Sequence, residues 1–406
     1  MSDLAPLVRL DDPSFYLDDP FPVYDRLRQE APVFWYEPRR TWALSCYADV
    51  RRVATDPQTF SSSYGLFLHD ANKGISPAGE LFGEQGEQIG LTDPPRHTEL
   101  RKVAAPAFTP RAVAKLEQAV ARICDELLDA IEPGKPIDFV EGVAAKLPIR
   151  AACEMVGLPH DRADDIRFWS DELERVGTSE LDADELAAAV ANFSGMNDYL
   201  LEQFERKRRE PGDDLISILL EAELDNDKLS EANVMMFTQT MIAAGNDTTR
   251  AMLSGIVATL AEFPDQRRAI VADRSLARNA VEEILRWVTP ARGFLRTATS
   301  DVEVRDQKIG AHEHVYVMYD SANRDGEAFD HPDRFDVTRE ENHHQIAFGF
   351  GTHVCIGAPL VRMETKLFLE KLLDRFPDWE LAGEPRRTET VLRSGWVELP
   401  VVFGGV

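Results

Sequence analysis

The sequence predicts a mainly α-helical chain with small β-sheets. One observation is the stretch 230–263, which reads as a single helix with Ser230 able to cap its start and Pro264 placed to end it. A helix of that length spans roughly 50 Å, enough to cross the whole molecule. A second is the succession of helical patterns at about 111–131, 143–156, 160–174, 183–208 and 276–288. The third is that strand-like runs are short and confined to 33–46, 302–319 and the C-terminal tail. No repeat, low-complexity tract or Gly/Ser/Pro linker divides the 406 residues, so one domain over 1–406 is expected.

In chain order, Val33-Phe34-Trp35-Tyr36 and Thr41-Trp42-Ala43-Leu44-Ser45-Cys46 flank Glu37-Pro38-Arg39-Arg40 and read as a β-hairpin. Residues 61–91 form a long, Gly-rich, poorly periodic loop, the kind of segment that tends to be functional. Asp93-Pro94-Pro95 then opens a helix, with Asp93 as candidate cap and proline in the first turn. The helix at 276–288 stops before Pro290, and 302–319 holds strand-like segments ending in Val315-Tyr316-Val317-Met318-Tyr319. An irregular stretch follows, then a helix after Cys355 that runs to about 375.

Forty-five basic against 71 acidic residues give a net charge of −26, which argues against binding nucleic acid or anionic lipid. Cys46, Cys124, Cys153 and Cys355 are far apart with no C-x-x-C pair, so neither a disulfide framework nor a zinc site is expected. No window approaches 18 uninterrupted apolar residues, and the start Met1-Ser2-Asp3-Leu4-Ala5-Pro6 has neither a basic nor an apolar leader segment. A soluble, cytoplasmic protein is the expectation.

Chemistry concentrates in Phe348-Gly349-Phe350-Gly351-Thr352-His353-Val354-Cys355-Ile356-Gly357. The glycines let backbone approach a flat ligand, His353 can point at an anionic group, and a helix starting just past the sulfur favours a thiolate. That is the environment a deprotonated cysteine needs to ligate haem iron. A lone cysteine at a helix start is ordinarily just a buried thiol; the glycines, His353 and Gly357 in register outweigh that reading. The middle of the long helix carries Ala243-Ala244-Gly245-Asn246-Asp247-Thr248-Thr249, a run of weak helix formers. Thr248 can turn its hydroxyl back to the Ala244 carbonyl, and Gly245 lets a ligand reach the backbone. Glu283 and Arg286 share a helix face within pairing reach. His97 and Arg101, spaced i and i+4, present two cationic donors on another.

The cysteine run resembles the haem-thiolate signature of the cytochrome P-450 family. The Ala-Gly-Asn-Asp-Thr run is similar to that family's oxygen-activation motif, and Glu283-x-x-Arg286 with Pro332-Asp333-Arg334-Phe335 is similar to its buried structural triad. These motifs fall in family order over nearly the whole chain, with Val361 and Asn246 as mild departures. The resemblance implies the P-450 fold, with haem b (iron protoporphyrin IX), one per chain, between the long helix and the cysteine loop. Cys355 is then the iron ligand. His97, Arg101, Arg296 and His353 contact the propionates, and Phe348, Gly349, Gly357, Ala244 and Gly245 line the haem. Asp247 and Thr248 deliver protons to dioxygen, while Glu283, Arg286 and Arg334 lock the core. The activity implied is a monooxygenase fed by a ferredoxin and its reductase, with Arg362 and Lys366 as basic docking candidates. By the same analogy Phe67, Leu68 and Phe82, within Tyr64, Leu66, Phe67, Leu68, Leu81 and Phe82, roof a pocket completed by Met241, Ala243, Phe294 and Trp396. Arg292 either clamps a substrate carboxylate there, or reaches solvent or a propionate. These residues suit a hydrophobic small molecule of steroid, terpenoid or fatty-acid type. Rival expectations are peroxide-driven or oxidative-coupling chemistry on the same haem, and a non-catalytic haem sensor.

Overall fold

In the computed structural model, residues 3–72, 86–178, 181–224 and 226–404 are described. The elements run α1 (Phe21–Glu30), β1 (Val33–Tyr36), β2 (Thr41–Leu44), α2 (Tyr47–Thr55), β3 (Phe60–Ser61), α3 (Arg96–Ala104), α4 (Pro110–Asp129) and β4 (Pro136–Asp138). Next come α5 (Lys146–Val156), α6 (Ala163–Thr178), α7 (Ala183–Arg209), α8 (Leu215–Glu221), β5 (Glu223–Leu224) and β6 (Asp227–Lys228). The central helix α9 (Glu231–Glu262) is followed by α10 (Pro264–Ala272), α11 (Ala277–Val288), β7 (Gly293–Ala298), β8 (Val302–Val304), β9 (Gln307–Ile309) and β10 (His314–Met318). The chain closes with α12 (Tyr319–Ala322), α13 (Ala358–Arg375), β11 (Trp379–Leu381), β12 (Arg386–Arg387), β13 (Trp396–Glu398) and β14 (Pro400–Phe403). The expected mainly helical chain with small sheets is what folds. Among the described residues no helix is long and apolar enough to cross a membrane.

The central helix starts and stops where its sequence dictates. Ser230 Oγ accepts the Asn233 N–H at 3.2 Å, and Pro264, lacking an N–H, begins a new helix instead of extending this one. Its second half is buried all round, every residue over 251–260, as befits a core helix. At Gly255 an added Cβ would meet Val288 at 2.7 Å, so α11 crosses α9 where the side chain is smallest. The hairpin is present, pairing Trp35 with Trp42. It belongs to a five-stranded sheet of order β1-β2-β10-β7-β3, in which β10 runs parallel to β2 and antiparallel to β7.

Some boundaries move. Asp93 does not cap α3, which begins at Arg96. Its carboxylate instead accepts the Ser62 N–H and the Ser63 hydroxyl, both at 2.9 Å, and the Ser61 hydroxyl, while its carbonyl accepts the His97 N–H. A π-turn at Val140–Ala144 delays the start of α5 to Lys146. Helix α6 continues to Thr178, beyond its expected end near 174.

The E-x-x-R pair is buried as expected, but its third member is Arg339 and not Arg334. Glu283 and Arg286 are wholly buried and joined by two bonds of 2.8 Å. Arg286 also donates to the carbonyls of Asn323, Pro332 and Arg334 at 2.9, 2.7 and 3.2 Å. Arg339 Nε reaches both Glu283 oxygens at 3.2 Å, and its other nitrogens take the carbonyls of Asp330, His331 and Arg334. With the Asp336 N–H at 2.9 Å the carboxylate is fully used, and the turn that aims the Arg334 carbonyl inward sends its guanidinium out, 67 % exposed, beside Asp336. A buried ion pair is tolerable only when its donors and acceptors are met in this way.

Candidate functional site

The cysteine loop is shaped by backbone that only glycine adopts easily. Gly349 and Gly351 have φ of 71° and 69°, and an added Cβ on Gly351 would lie 2.2 Å from the Ala54 carbonyl oxygen at the end of α2. The loop is then pinned: the Cys355 N–H donates to the Phe348 carbonyl at 2.8 Å. Arg51 lies 4.1 Å over the Phe350 ring and Arg362 lies 4.5 Å over Phe348. Arg362 also binds the Glu282 carboxylate through two nitrogens at 2.6 and 3.0 Å, and Lys366 pairs with Glu370. Both basic docking candidates therefore already have acidic partners.

Cys355 keeps accessible surface although protein crowds it on every side, as a group lining an internal chamber does. Burial pushes its thiol up. The N–H groups of Gly357 and Ala358 at the start of α13, with Arg101 and Arg362, pull the other way and do not win. The helix start thus favours the thiolate, as the sequence suggests, but coordination to a metal ion must supply the rest.

Four donors from two elements and the loop converge near the sulfur. His97 of α3 and His353 lie with ring centroids 4.1 Å apart, and Arg101 of α3 and Arg296 of β7 bear on both rings. Burial first, then these guanidiniums, push His97 down to about 4 and His353 to about 2. His353 Nε2 is buried with no hydrogen-bond partner. Buried imidazole and guanidinium groups crowded in this way call for an anion between them. Along the central helix, Ala244 is exposed in mid-helix and Gly245 has nothing within 4 Å of where a Cβ would sit, so this stretch borders open space. Met241 and Ile242 of α9, Leu100 of α3 and Leu360 of α13 share one apolar cluster, with Ile356 packed against it, so the helix and the cysteine loop meet through α3. A flat, apolar, doubly acidic ligand suits these walls.

Thr248 Oγ1 donates to the Ala244 carbonyl at 2.8 Å, the back-bond its position predicts. Asp247 takes a different side of the helix. It is buried, and its carboxylate pairs with Arg250 one turn on and with Arg393 from the C-terminal segment. Arg393 also pairs with Glu174 of α6, and Asn246 Nδ2 reaches Asp171 at 3.2 Å and Ser170 at 3.4 Å. Sequence reasoning missed Arg393 and Glu174, which no spacing links to Asp247; Arg250, at i+3, was within reach of it.

Of the pocket residues, Phe67 and Phe294 come together at 6.2 Å and Phe294 meets Tyr319 at 5.7 Å. Phe67, Leu68, His69 and Gly293 border a small cleft with Leu392. Met241 is buried, Ala243 half-buried, and Trp396 packs against the main core beneath Arg387 rather than beside Phe294. Phe82 and Leu81 lie outside the described residues. Arg292 neither faces a substrate space nor reaches solvent or the four converging donors. Its guanidinium donates to the carbonyls of Thr390 at 2.9 Å and of Arg393, and lies 4.2 Å over the Tyr16 ring. Burial explains the correction: a guanidinium 5 % exposed must spend its N–H groups on nearby carbonyls.

A helical fold built round one such cysteine, with buried donors for two acid groups, defines a haem-thiolate oxygenase. The family model for cytochrome P450 matches residues 179–394. Cytochrome P450 107B1 of Saccharopolyspora erythraea is 38 % identical over 367 residues, covering 89 % of this chain and 88 % of its own length. A steroid C26-monooxygenase of Mycobacterium tuberculosis is 33 % identical, covering 98 % of both chains. Among solved structures, Mycobacterium marinum cytochrome P450 CYP268A2, in complex with pseudoionone, superposes with a TM-score of 0.87 at 32 % identity, covering 98 % of each chain. The chain belongs to the cytochrome P450 family. It is a haem-dependent monooxygenase that acts with dioxygen on a hydrophobic small molecule.

Proposed function

We propose that Cys355 ligates the iron of one haem b per chain, within a single domain over 1–406. In this reading His97, Arg101, Arg296 and His353 hold the propionates, and Phe348, Gly349, Gly357, Ala244 and Gly245 border the macrocycle. The observation that carries it is the unmatched Nε2 of His353 among buried His97 and Arg296 and half-buried Arg101, next to an accessible cysteine sulfur. Bound there, the haem supplies reduction of dioxygen by two electrons and two protons, with one oxygen entering a substrate C–H bond and the other leaving as water.

The chain's own residues bind, orient and manage protons. Thr248 Oγ1, bonded to a carbonyl on the accessible stretch of α9, holds a hydroxyl ready to pass a proton into the chamber. Asp247 exchanges protons with that route from the buried side of the helix. Phe67, Leu68, Met241, Ala243 and Phe294 exclude water and hold the substrate. Substrates of steroid, terpenoid or fatty-acid type are supported by relatives described as steroid C26-monooxygenases and by neighbours solved with testosterone and with pseudoionone. A cytoplasmic location, and electrons drawn singly from a ferredoxin served by a reductase, complete the proposal.

The test is the spectrum of the dithionite-reduced protein under carbon monoxide. A Soret band shifted far to the red is expected, and it should be lost in Cys355→Ser. A red-shifted band that survives in Cys355→Ser overturns the assignment. Thr248→Ala is expected to bind substrate normally while diverting reducing equivalents to peroxide, read as product formed per NAD(P)H consumed.

A further inference from the structure

Glu282 stands next to Glu283 on α11, but one step round the helix points its carboxylate at the two ends of the cysteine loop. On the chain entering the loop, Gln345 Nε2 donates to Glu282 Oε2 at 2.9 Å. Gln345 Oε1 in turn accepts the Ala347 N–H at 2.7 Å. The next residue, Phe348, supplies the carbonyl that holds the Cys355 N–H at 2.8 Å. On the chain leaving the loop, Arg362 of α13 gives Nε and Nη2 to the same Glu282 carboxylate, at 2.6 and 3.0 Å. Its guanidinium also covers the Phe348 ring, 4.5 Å away. One carboxylate thus grips both arms of the loop, and both arms converge on Phe348.

Magnitudes separate fixing from stabilising. Arg362 is 43 % exposed and Glu282 16 %, so as an ion pair they contribute little to the stability of the fold. What the pair supplies is geometry. A guanidinium bound through two nitrogens has its plane fixed, and this plane lies on Phe348. Gln345 is buried, so its amide has no ready exchange of Glu282 for water. Groups behind a metal ligand orient it in this way, and their loss shows at the metal before it shows in the fold.

We propose that Glu282 is a positioning residue for the iron ligand, clamping both arms of the cysteine loop so that the sulfur keeps one place. This rests on the role of Cys355 given under Proposed function. Gln345 holds the entering arm for it and Arg362 the leaving arm.

The haem-loaded protein is compared with its Glu282→Ala, Glu282→Gln, Gln345→Ala and Arg362→Met variants. One readout is the rate at which the red-shifted Soret band of the ferrous carbon monoxide complex gives way to the unshifted one. The other is deuterium exchange over 345–356. Glu282→Ala should convert about tenfold faster than the parent, as expected for loss of a charge-assisted hydrogen bond. Exchange over 345–356 should quicken with it, while exchange over 251–260 and the denaturant midpoint stay at parental values. Glu282→Gln keeps an acceptor for one arm and should fall between the two. Gln345→Ala and Arg362→Met should each speed conversion in the parent and add nothing in Glu282→Ala, because both act through that carboxylate. A merely stabilising contact would quicken exchange over 251–260 equally, and that result overturns the proposal. So does a parental conversion rate in Glu282→Ala, or full additivity in the double variants. If Glu282→Ala takes up no haem, the single-arm variants decide, and parental rates in both overturn it. A parent protein without the red-shifted band refutes the reading of Cys355 instead, which keeps the two failures apart.

Discussion

The two sides of the chamber are held by different kinds of bond. Behind the cysteine, the buried charges of Arg286 and Arg339 end on backbone carbonyls and on one saturated carboxylate. Backbone cannot change partner without refolding, so this side is fixed once formed. On the buried side of the central helix, Asp247, Glu174, Arg250, Arg393 and Asp171 are held by one another's side chains. Such pairs can exchange partners with little movement of the main chain. One side is built to hold a ligand in one geometry, the other to redistribute charge around it.

The harshest way to break that comparison is to remove a charge from each end of the 334–339 turn. Arg339→Met leaves Glu283 short of a cation in a fully buried site and should cost about 3–5 kcal/mol. Arg334→Met removes an exposed guanidinium and should cost no more than about 0.5 kcal/mol. Denaturant unfolding of the two variants measures the difference, and equal losses would restore Arg334 to the triad.

A smaller effect probes the same side through pH. Glu364 of α13 is 3 % exposed, and burial pushes its carboxyl up to about 8 from 4.5. Its folded pKa is raised, so its contribution is fully present below pH 4.5 and is lost as pH rises toward 8. Glu364→Gln should therefore stabilise the protein by on the order of 4 kcal/mol at pH 8 and by no more than about 1 kcal/mol near pH 5. Thermal unfolding at the two pH values reads this directly. A shift of the same size at both would mean the carboxyl stays charged in the fold.

How far the sequence could be read follows the same division. The cysteine loop, the E-x-x-R pair and the central helix were legible because local rules fix them: glycines at positive φ, an i,i+3 pair, a serine cap and a terminating proline. Arg339 was missed because the backbone turn, not the local motif, decides which arginine points inward. Arg393 and Glu174 were beyond reach because 219 residues separate them and only the packing of α6 against the C-terminal segment brings them together. Arg292 was misread because its neighbours in sequence suggest a pocket, whereas carbonyls from 390–393 claim its guanidinium. Side-chain networks assembled from distant elements leave no periodicity to detect.

The mildest test asks whether the central helix depends on its own local signals where it borders the chamber. Ser230 caps the end of α9 that leads to Ala244 and Thr248, whereas the far half is buried all round. Ser230→Ala should cost about 1 kcal/mol, the value of one N-cap bond, with the denaturant slope unchanged. The loss should appear as faster amide exchange over the first turns of α9 and not over 251–260, where packing holds the helix. Faster exchange along the whole helix would mean that its two halves unfold as one unit. In that case the contrast between a fixed side and an adjustable side would stop at the side chains and not extend to the helix that carries them.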